Sequence, residues 1–247
     1  AYSENPKVYI LEVNPRASRT VPFVCKATGE PLAKIAARVM VGQTMKQQGV
    51  KVEVTPKYMC VKEAVFPFTK FLGVDPVLGP EMRSTGEVMG VGASFGEALY
   101  KAELGAGDRL PEKGTAFISV RDVDKARAVS VATHLRDQGF NIVATRGTAA
   151  LLQHAAIPCR VVNKVSEGRP NVVDMIKNGD VQLVIATADE SRTQISDARQ
   201  IRQTALAQLG VVYYTTISGA AAAVEGQKHA KDVEVRSLQE LHAMNRA

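Results

Sequence analysis

The 247-residue chain contains no tryptophan, only 5% aromatic residues and three cysteines. Cys25, Cys60 and Cys159 are odd in number and far apart, which argues against a disulfide framework and a Cys-x-x-Cys metal site. Thiols of this kind suit a reducing compartment, and we expect a cytoplasmic protein. The sequence also lacks an apolar run near the roughly 20 residues that span a bilayer, so we expect no membrane partner.

The charge balance is basic, with 31 Lys and Arg residues against 25 Asp and Glu residues and a net charge of +6. A basic excess can indicate nucleic-acid binding. Here the basic residues are scattered, and the aromatic side chains that stack on bases are scarce. We therefore expect no nucleic-acid partner. Anionic small-molecule ligands, or an acidic remainder of a longer chain, explain the excess better.

A short motif near the beginning combines a carboxylate, an amide and a guanidinium. Residues 8–13 are mostly apolar, which predicts a strand that Pro15 ends. On a strand, Glu12 and Asn14 share a face, and both carry the hard oxygen donors that Mg²⁺ or Mn²⁺ takes together with nucleotide phosphates. Arg16 lies one step further and would point at the same phosphoryl oxygens. A simple turn at Asn-Pro is the alternative interpretation.

Longer strings surround this motif. Residues 11–23 (LEVNPRASRTVPF) resemble the closing motif of an ATP-grasp active site, and more narrowly the second ATP-grasp half of the carbamoyl-phosphate synthase large subunit. The resemblance continues through KATG, PLAK, VKE and LGPEMRSTGEVMG, and on to the end of the chain. It implies that Glu12 and Asn14 are metal ligands, that Arg16 is a phosphate-side residue and that ATP is a substrate. Such a site needs more chain before the motif, so we expect the C-terminal part of a larger enzyme.

The first hundred residues carry several local signals. Apolar positions after Pro31 have helical spacing and stop before Gly42, which predicts a helix. The other predicted elements are a strand over 59–68, a Gly- and Pro-rich ordered loop over 72–92, and a helix from a Ser94–Glu97 capping box to Gly105. We interpret residues 1–104 as the C-terminal edge of an ATP-grasp domain.

Residues 105–114 have linker composition and separate this part from residues 115–247. Beyond the linker, apolar runs alternate with helical patterns, which predicts an α/β domain with a five-stranded parallel sheet. The predicted strands are at 115–120, 140–144, 159–162, 181–186 and 211–214, and the predicted helices are near 124–138, 148–155, 171–178, 194–208 and 217–224. In such sheets, ligands bind beyond the carboxyl ends of the strands.

Polar residues follow three successive predicted strands. Ser119 and Lys125 come after the first, Thr145 and Thr148 after the second, and Lys164 after the third. Hydroxyl groups, a helix N-terminus and two ammonium groups at one edge suit a phosphate. The alternative is that the Ser and Thr residues only cap helices.

The second part resembles a Rossmann-like domain of the methylglyoxal-synthase-like (MGS-like) type, which is the allosteric module of the synthase family. The resemblance implies nucleotide effectors such as UMP and IMP, and ornithine where this domain meets the synthetase domain. The implied phosphate-contacting residues are Ser119, Lys125, Thr145, Thr148, Lys164 and Thr187, and the implied ornithine-contacting residues are Glu63, Tyr213 and Thr215. Family members carry Asn-Thr-Thr where this chain has Ala186-Thr187-Ala188, so we expect weaker UMP binding here.

Three rival functions remain. A free-standing methylglyoxal synthase needs a carboxylate base where this chain has Arg169, and a guanidinium cannot serve. A regulatory module without catalysis would not need the Glu12-to-Arg16 motif. Another ATP-grasp ligase, such as a biotin carboxylase, would lack the fused phosphate-binding domain.

We therefore expect the C-terminal part of a glutamine-dependent carbamoyl-phosphate synthase large subunit. That ligase phosphorylates carbamate with ATP for arginine and pyrimidine biosynthesis. Its expected partners are a glutaminase small subunit, which supplies ammonia, and the remainder of the large subunit. The fragment alone should be inactive.

Overall fold

The computed structural model describes residues 7, 9–10, 12–13, 16, 18–50, 53–66, 84, 86–187, 192–208, 210–231 and 233–246. The chain divides into two compact units. Unit 1 comprises residues 1–57 and 236–247, and unit 2 comprises residues 58–235. The expected linker at 105–114 lies inside unit 2, so the division into 1–104 and 115–247 remains a prediction.

The regular elements of the described residues alternate as follows. In chain order they are α1 (Thr20–Thr28), α2 (Leu32–Met40), β1 (Met59–Val65), β2 (Gly86–Gly92), α3 (Phe95–Ala106), β3 (Thr115–Ser119), α4 (Lys125–Asp137), β4 (Asn141–Thr145), α5 (Arg146–His154), β5 (Arg160–Val162), α6 (Val172–Lys177), β6 (Leu183–Ala186), α7 (Arg192–Ala207), β7 (Val212–Tyr214), α8 (Ile217–Gln227) and α9 (Leu238–Arg246). Within the described part, no helix is long and apolar enough to cross a membrane.

Unit 1 contains α1, α2 and α9. The helix predicted after Pro31 is confirmed as α2, whereas the sequence patterns predicted neither α1 nor α9. Helices α1 and α9 are joined by polar contacts: His242 Nε2 lies 2.8 Å from the Lys26 carbonyl, and Asn245 Nδ2 donates to the Ala27 carbonyl at 3.4 Å. Such side chain–backbone pairs leave no periodic signal in the sequence.

The strand predicted over residues 8–13 is wrong for its described residues. Tyr9, Ile10 and Val13 are 74%, 82% and 77% exposed and lie in irregular backbone. A strand is stable only beside a hydrogen-bonded neighbour. Among the described residues no strand pairs with this segment; positions 8 and 11 lie outside them.

Unit 2 begins with an antiparallel pair of strands, β1 and β2, in which Glu63 pairs with Val88. The loop predicted over 72–92 is wrong for 86–92, which form β2; residues 72–83 and 85 lie outside the described part. A glycine in β2 allows α3 to pack closely against this strand. A β-carbon on Gly90 would lie 1.9 Å from the Ala98 carbonyl oxygen, so only glycine lets α3 approach this strand.

The N-cap half of the predicted capping box is confirmed, because the Glu97 N–H donates to Ser94 Oγ at 3.2 Å. The Glu97 carboxylate accepts from the Ala93 N–H at 2.8 Å, one residue before the N-cap. The predicted end at Gly105 is wrong, since the helix continues to Ala106 and Gly107 takes the left-handed cap. The Gly- and Pro-rich segment that follows is held in place: Leu110 is buried in the main core, and the Pro111 carbonyl accepts from Gln227 Nε2 at 2.6 Å.

The predicted five-stranded parallel sheet is confirmed, with strand order β5-β4-β3-β6-β7. Two apolar layers cover its faces, because successive side chains of a strand point to opposite sides. Ile118 belongs to one layer and Phe117 to the other. The carboxyl ends of all five strands therefore open at one edge, where the predicted effector residues lie.

Candidate functional site

A small cavity of about 40 Å³ lies at the carboxyl edge of the sheet. Four predicted site residues meet there, from the ends of β3, β4, β5 and β6. The lining residues are Ser119, Thr145, Lys164, Ala186, Thr187, Asp197, Ala198 and Ile201. The parallel topology thus joins side chains that are up to 68 positions apart in the sequence.

Hydroxyl groups form the floor of this cavity. Ser119 Oγ and Thr145 Oγ1 lie 3.1 Å apart, because β3 and β4 are adjacent parallel strands in register. Thr187 is tied to the same place: its N–H donates to the Ser119 carbonyl at 2.9 Å, and its hydroxyl oxygen accepts from the Arg121 N–H at 2.9 Å. The three hydroxyl groups are therefore preorganised.

Helix α5 begins at the cavity, directly after Thr145. Thr145 occupies the N-cap position but makes no side-chain cap, so its hydroxyl is directed to Ser119. A helix N-terminus carries unsatisfied N–H groups and a partial positive charge, which favour an anion. Thr148 lies deeper, only 2% exposed, and accepts from the Val120 N–H at 3.3 Å. It braces the loop after β3 and is not among the lining residues.

Lys125 also lies near α5 but outside the cavity lining. Its Nζ is 2.7 Å from Asp122 Oδ1, and a β-carbon on Gly147 would lie 3.9 Å from the same Nζ. The ammonium thus lies beside the first turn of α5. The Lys125 ammonium, and more distantly that of Lys164, hold the pKa of the Asp122 carboxyl below its usual range. The two ammonium groups predicted at the effector site, those of Lys125 and Lys164, therefore both act on the Asp122 carboxylate.

The loop after β3 is braced by a second ion pair. Arg121 Nε donates to Asp124 Oδ2 at 2.8 Å, and Asp124 is only 8% exposed. The Arg121 guanidinium, and then the Thr187 hydroxyl, lower the pKa of the Asp124 carboxyl. Asp124 therefore stays ionised and holds Arg121 beside Thr187.

Asp197 of α7 lines the cavity and was not predicted from the sequence. Its carboxylate accepts from the Ser166 hydroxyl at 2.7 Å, which connects α7 with the turn that carries Lys164. That turn is closed by the Lys164 N–H, which donates to Glu167 Oε2 at 2.9 Å. No spacing rule links position 197 with position 164, so only the tertiary structure reveals the contact.

The residues predicted to contact ornithine lie on β1 and around β7. Tyr213 and Tyr214 pack against opposite apolar layers, and Thr215 follows the strand in an exposed bend. Burial, then the Glu103 carboxylate, and to a smaller extent the charges of Asp108 and Glu63, raise the pKa of the Tyr214 hydroxyl above its usual range. The structure therefore brings Glu63 close to Tyr214, which the sequence analysis did not select.

Tyr214 also donates to Glu103 Oε1 of α3 at 3.2 Å. Glu103 is only 9% exposed. Burial, and then the nearby charges of Glu63 and Asp108, raise the pKa of Glu103 to about 7 despite the Tyr214 hydrogen bond, which lowers it. Glu103 carries no sequence signal, because its importance comes from burial.

The predicted metal pair is only half described. Glu12 and Arg16 are exposed, and Asn14 lies outside the described residues. A carboxylate with an amide oxygen fits the donor preference of Mg²⁺ or Mn²⁺. Within the described ranges, no group of three or more His, Cys, Asp and Glu side chains is arranged to hold a metal ion. The metal assignment therefore remains a prediction.

Two family models match the chain. Residues 127–215 match an MGS-like domain, and residues 1–48 match the ATP binding domain of the carbamoyl-phosphate synthase L chain. These matches define the class: an MGS-like α/β domain on the same chain as the edge of an ATP-grasp domain, as predicted.

The particular relatives are carbamoyl phosphate synthase large chains. That of Ralstonia nicotianae is 64% identical over 96% of this chain, and that of Xanthomonas campestris is 58% identical over 95%. The chain spans 22% of the length of each. It is therefore homologous to carbamoyl phosphate synthase large chains over that share of their length, which confirms the resemblance.

Among solved structures, one titled "Crystal structure of ForH" matches with a TM-score of 0.36 and 15% identity, covering 54% of this chain and 90% of that chain. This similarity is too low to support an assignment.

Proposed function

We propose that this chain is part of the large chain of a glutamine-dependent carbamoyl phosphate synthase, and that its sheet edge binds a phosphorylated effector. One observation carries the effector assignment. Ser119, Thr145, Lys164 and Thr187 line one cavity at the N-terminus of α5. Hydroxyl donors, an ammonium and helix N–H groups together favour a phosphate over a neutral ligand.

The cavity size supports a phosphate group as the buried part of the effector. At about 40 Å³ it accommodates a small anion, and the nucleoside of UMP or IMP would extend across its rim. Ala186 lines the cavity at the position where the family resemblance implies an amide, and Ala188 lies outside the described residues. We expect weaker UMP binding than in proteins with Asn and Thr there.

Catalysis belongs to the other part of the chain in this proposal. Glu12 and Asn14 would hold Mg²⁺ or Mn²⁺, and Arg16 would contact phosphoryl oxygens. When bound, the metal neutralises charge on the phosphate oxygens of ATP during transfer to carbamate. Ammonia would come from a glutaminase small subunit, in the cytoplasm, and carbamoyl phosphate would supply arginine and pyrimidine biosynthesis. The 247-residue chain alone should be inactive.

Ornithine is the proposed second effector, with Glu63, Tyr213 and Thr215 as its contacts. A carboxylate suits an ammonium group, and the phenol and hydroxyl suit polar atoms. The alternative function is an effector-binding module without catalysis. The two buried apolar layers of unit 2 favour it, because that unit has a core of its own.

Calorimetric titration with UMP and IMP tests the effector site. Lys164→Ala should weaken binding roughly tenfold to a hundredfold, because the variant removes a charge-assisted contact with the phosphate. Lys177→Ala is the matched control, since Lys177 is an exposed lysine at the end of α6. Equal affinity in both variants would exclude Lys164 from the phosphate site.

The catalytic assignment is tested in the complete enzyme with its glutaminase subunit. Glu12→Gln should abolish carbamoyl phosphate formation while ATP turnover that depends on bicarbonate continues. Glu53→Gln removes an exposed carboxylate elsewhere in unit 1 and should leave synthesis unchanged. Near-normal synthesis by Glu12→Gln would refute the metal-ligand assignment.

A further inference from the structure

Gly147, the second residue of α5, is a glycine that the packing of the helix does not require. Among the described residues, a β-carbon at this position would meet only Lys125 Nζ, at 3.9 Å, and the φ of Gly147 is not positive. Gly226 in α8 differs, since a β-carbon there would lie 3.1 Å from the Gly96 carbonyl oxygen. Glycine weakens a helix relative to alanine, but it lets a ligand approach the backbone closely. The open space beside Gly147 therefore favours a ligand at this turn.

The same turn of α5 lacks the side-chain cap that another threonine provides elsewhere in unit 2. Thr216 is the N-cap residue of α8, and its hydroxyl oxygen accepts from the Gly219 N–H at 3.1 Å. Thr145 occupies the same position in α5 but makes no such bond, and its hydroxyl lies 3.1 Å from Ser119 Oγ. The first N–H groups of a helix have no acceptor within the helix. Those of α5 are therefore left for an acceptor other than the N-cap side chain.

Lys125 adds a positive charge at this end of α5. It is the first residue of α4, and its ammonium lies beside Gly147, so it is close to the N-termini of two helices. An ammonium is disfavoured there, because a helix N-terminus is itself partly positive. The side chain of its partner Asp122 is 91% exposed, and an ion pair of this kind offsets the charge only weakly. Since Lys164 lines the adjacent cavity, a bound anion would balance this region better.

We propose that Gly147 is a specificity-determining residue of the effector site, because it lets a terminal phosphate group approach the backbone of α5 between Lys125 and Lys164. This inference rests on the proposed effector function. The phosphate accepts from the first N–H groups of α5, and the two ammonium groups balance the two negative charges of a phosphate monoester. A phosphodiester carries one negative charge and has two esterified oxygens. The arrangement therefore selects monoesters.

Calorimetric titration of the 247-residue chain with UMP tests the role of Gly147. Gly147→Ala should weaken binding about tenfold or more, because the added methyl group occupies the space between the α5 backbone and the Lys125 ammonium. Gly86→Ala is the matched control. A β-carbon on Gly86 also meets nothing within 4 Å, but Gly86 lies in β2, away from the sheet edge. The control should bind UMP like the unmodified chain.

Urea denaturation of the same variant separates a binding role from a structural one. Gly147→Ala should be at least as stable as the unmodified chain, because the added β-carbon meets no backbone atom and alanine favours a helix. The expected result is thus weaker UMP binding in a protein that unfolds at the same or a higher urea concentration. Loss of both affinity and stability would mean that the fold requires this glycine, and it would overturn the proposal.

An NMR titration of the unmodified chain gives a direct measurement that needs no variant. The amide proton of Gly147 should move downfield as UMP is added, because it becomes a donor to a charged phosphate oxygen. The amide of Gly139, which follows the other end of α4, should not move.

The ligand class is tested with uridine 3′,5′-cyclic monophosphate, a phosphodiester with the same base. The unmodified chain should bind UMP at least about tenfold more tightly than the cyclic diester, because only the monoester can use both ammonium groups. Gly147→Ala should reduce this ratio, since the added methyl group weakens the monoester contact.

The possible failures are distinguishable. If the unmodified chain binds neither UMP nor IMP, the proposed effector site is wrong and this inference is overturned with it. If UMP binds and Lys164→Ala weakens it, but Gly147→Ala binds UMP as tightly as the unmodified chain, the role of Gly147 is overturned while the effector site stands. A Gly147 amide that does not move with UMP has the same meaning. Equal affinity for UMP and the cyclic diester overturns the selection of monoesters.

Discussion

The two compact units of this chain differ in what covers their apolar side chains. In unit 2, large side chains such as Leu135 and Leu183 are fully buried on the faces of a parallel sheet. In unit 1, α2 has no buried residue, and Met40 is 86% exposed. The comparison teaches that an amphipathic pattern determines a helix without determining what covers it. Unit 1 holds the segment that matches the ATP binding domain of much longer relatives.

The largest expected effect tests the close packing of unit 2. Gly90→Ala places a β-carbon 1.9 Å from the Ala98 carbonyl oxygen and 2.5 Å from the Ala102 nitrogen. Both are backbone atoms and cannot rotate away. We expect a loss of about 3 kcal/mol or more in the free energy of unfolding, measured by urea denaturation.

Gly86→Ala is the control for this variant. It lies in the same strand, and a β-carbon there meets nothing within 4 Å. The chain should tolerate it. If Gly90→Ala were equally stable, the strand and α3 would not be packed as closely as described.

The second prediction compares the stability cost of removing a buried side chain from unit 2 with that of removing an exposed one from unit 1. Leu135→Ala removes a fully buried side chain of unit 2 and should cost about 2–5 kcal/mol in the free energy of unfolding. Met40→Ala in unit 1 should change it by no more than about 0.5 kcal/mol, because the side chain is already in water. Comparable losses in the two variants would mean that α2 is covered in the isolated chain.

The third prediction concerns the pH dependence of unit 2. The folded state raises the pKa of Glu103 from 4.5 to about 7. The folded state therefore binds more protons than the unfolded state between these values, so stability falls as pH rises through this window. The displacement corresponds to at most about 3 kcal/mol. Glu103→Gln should remove this slope.

Equilibrium unfolding near pH 5 and pH 8 measures how the free energy of unfolding changes with pH in the unmodified chain and in Glu103→Gln. Asp124 and Glu97 have lowered pKa values and act in the opposite direction, with stability lost as pH falls. Their contribution is common to both proteins and cancels. A slope that persists unchanged in Glu103→Gln would contradict the assignment of the proton to this residue.

The smallest expected effect is on effector affinity at the phosphate edge, the carboxyl edge of the sheet where Ser119, Thr145, Lys164 and Thr187 line the cavity. This prediction depends on the proposed function. Asp122 is paired with Lys125 at 2.7 Å and lies within the influence of Lys164. Its carboxylate therefore competes with a phosphate for the same cations. Asp122→Asn should tighten UMP binding by about twofold to fivefold, because exposed ion pairs are weak competitors.

Asp137→Asn provides the comparison, since Asp137 pairs with Arg136 at the other end of α4. Calorimetry at low and moderate salt should separate the two variants, with the gain of Asp122→Asn reduced by added salt. Unchanged or weaker UMP binding in Asp122→Asn would exclude the competition.

The parallel sheet was predictable because its signals are local and repeated. Apolar runs alternate with helical patterns, and glycines such as Gly139 and Gly179 follow helices with positive φ. Where the predicted secondary structure was wrong, the conformation of the segment depends on neighbouring elements that are distant in sequence. β2 is a strand because β1 pairs with it and α3 packs on Gly90. Residues 8–13 have strand composition, but no strand of the described part pairs with their described positions.

The phosphate edge could be predicted in part for the same reason. Ser119, Thr145 and Lys164 follow successive strands, and parallel strands end at one edge. Thr148 has the same residue type and a similar position, yet it is buried and braces the loop after β3. Residue type and strand order could not separate these two roles.

The sequence by itself determined the class of fold and the edge of the sheet where charged and hydroxyl groups gather, because those properties follow from periodicity and local residue order. The family followed from the resemblance of its longer strings to known sequences. The tertiary structure decided the rest. It brought Asp197 to the cavity, and it placed Glu103 beside Tyr214 and near Glu63. Burial and proximity between distant residues change the chemistry of a side chain, and neither is written in the neighbouring sequence.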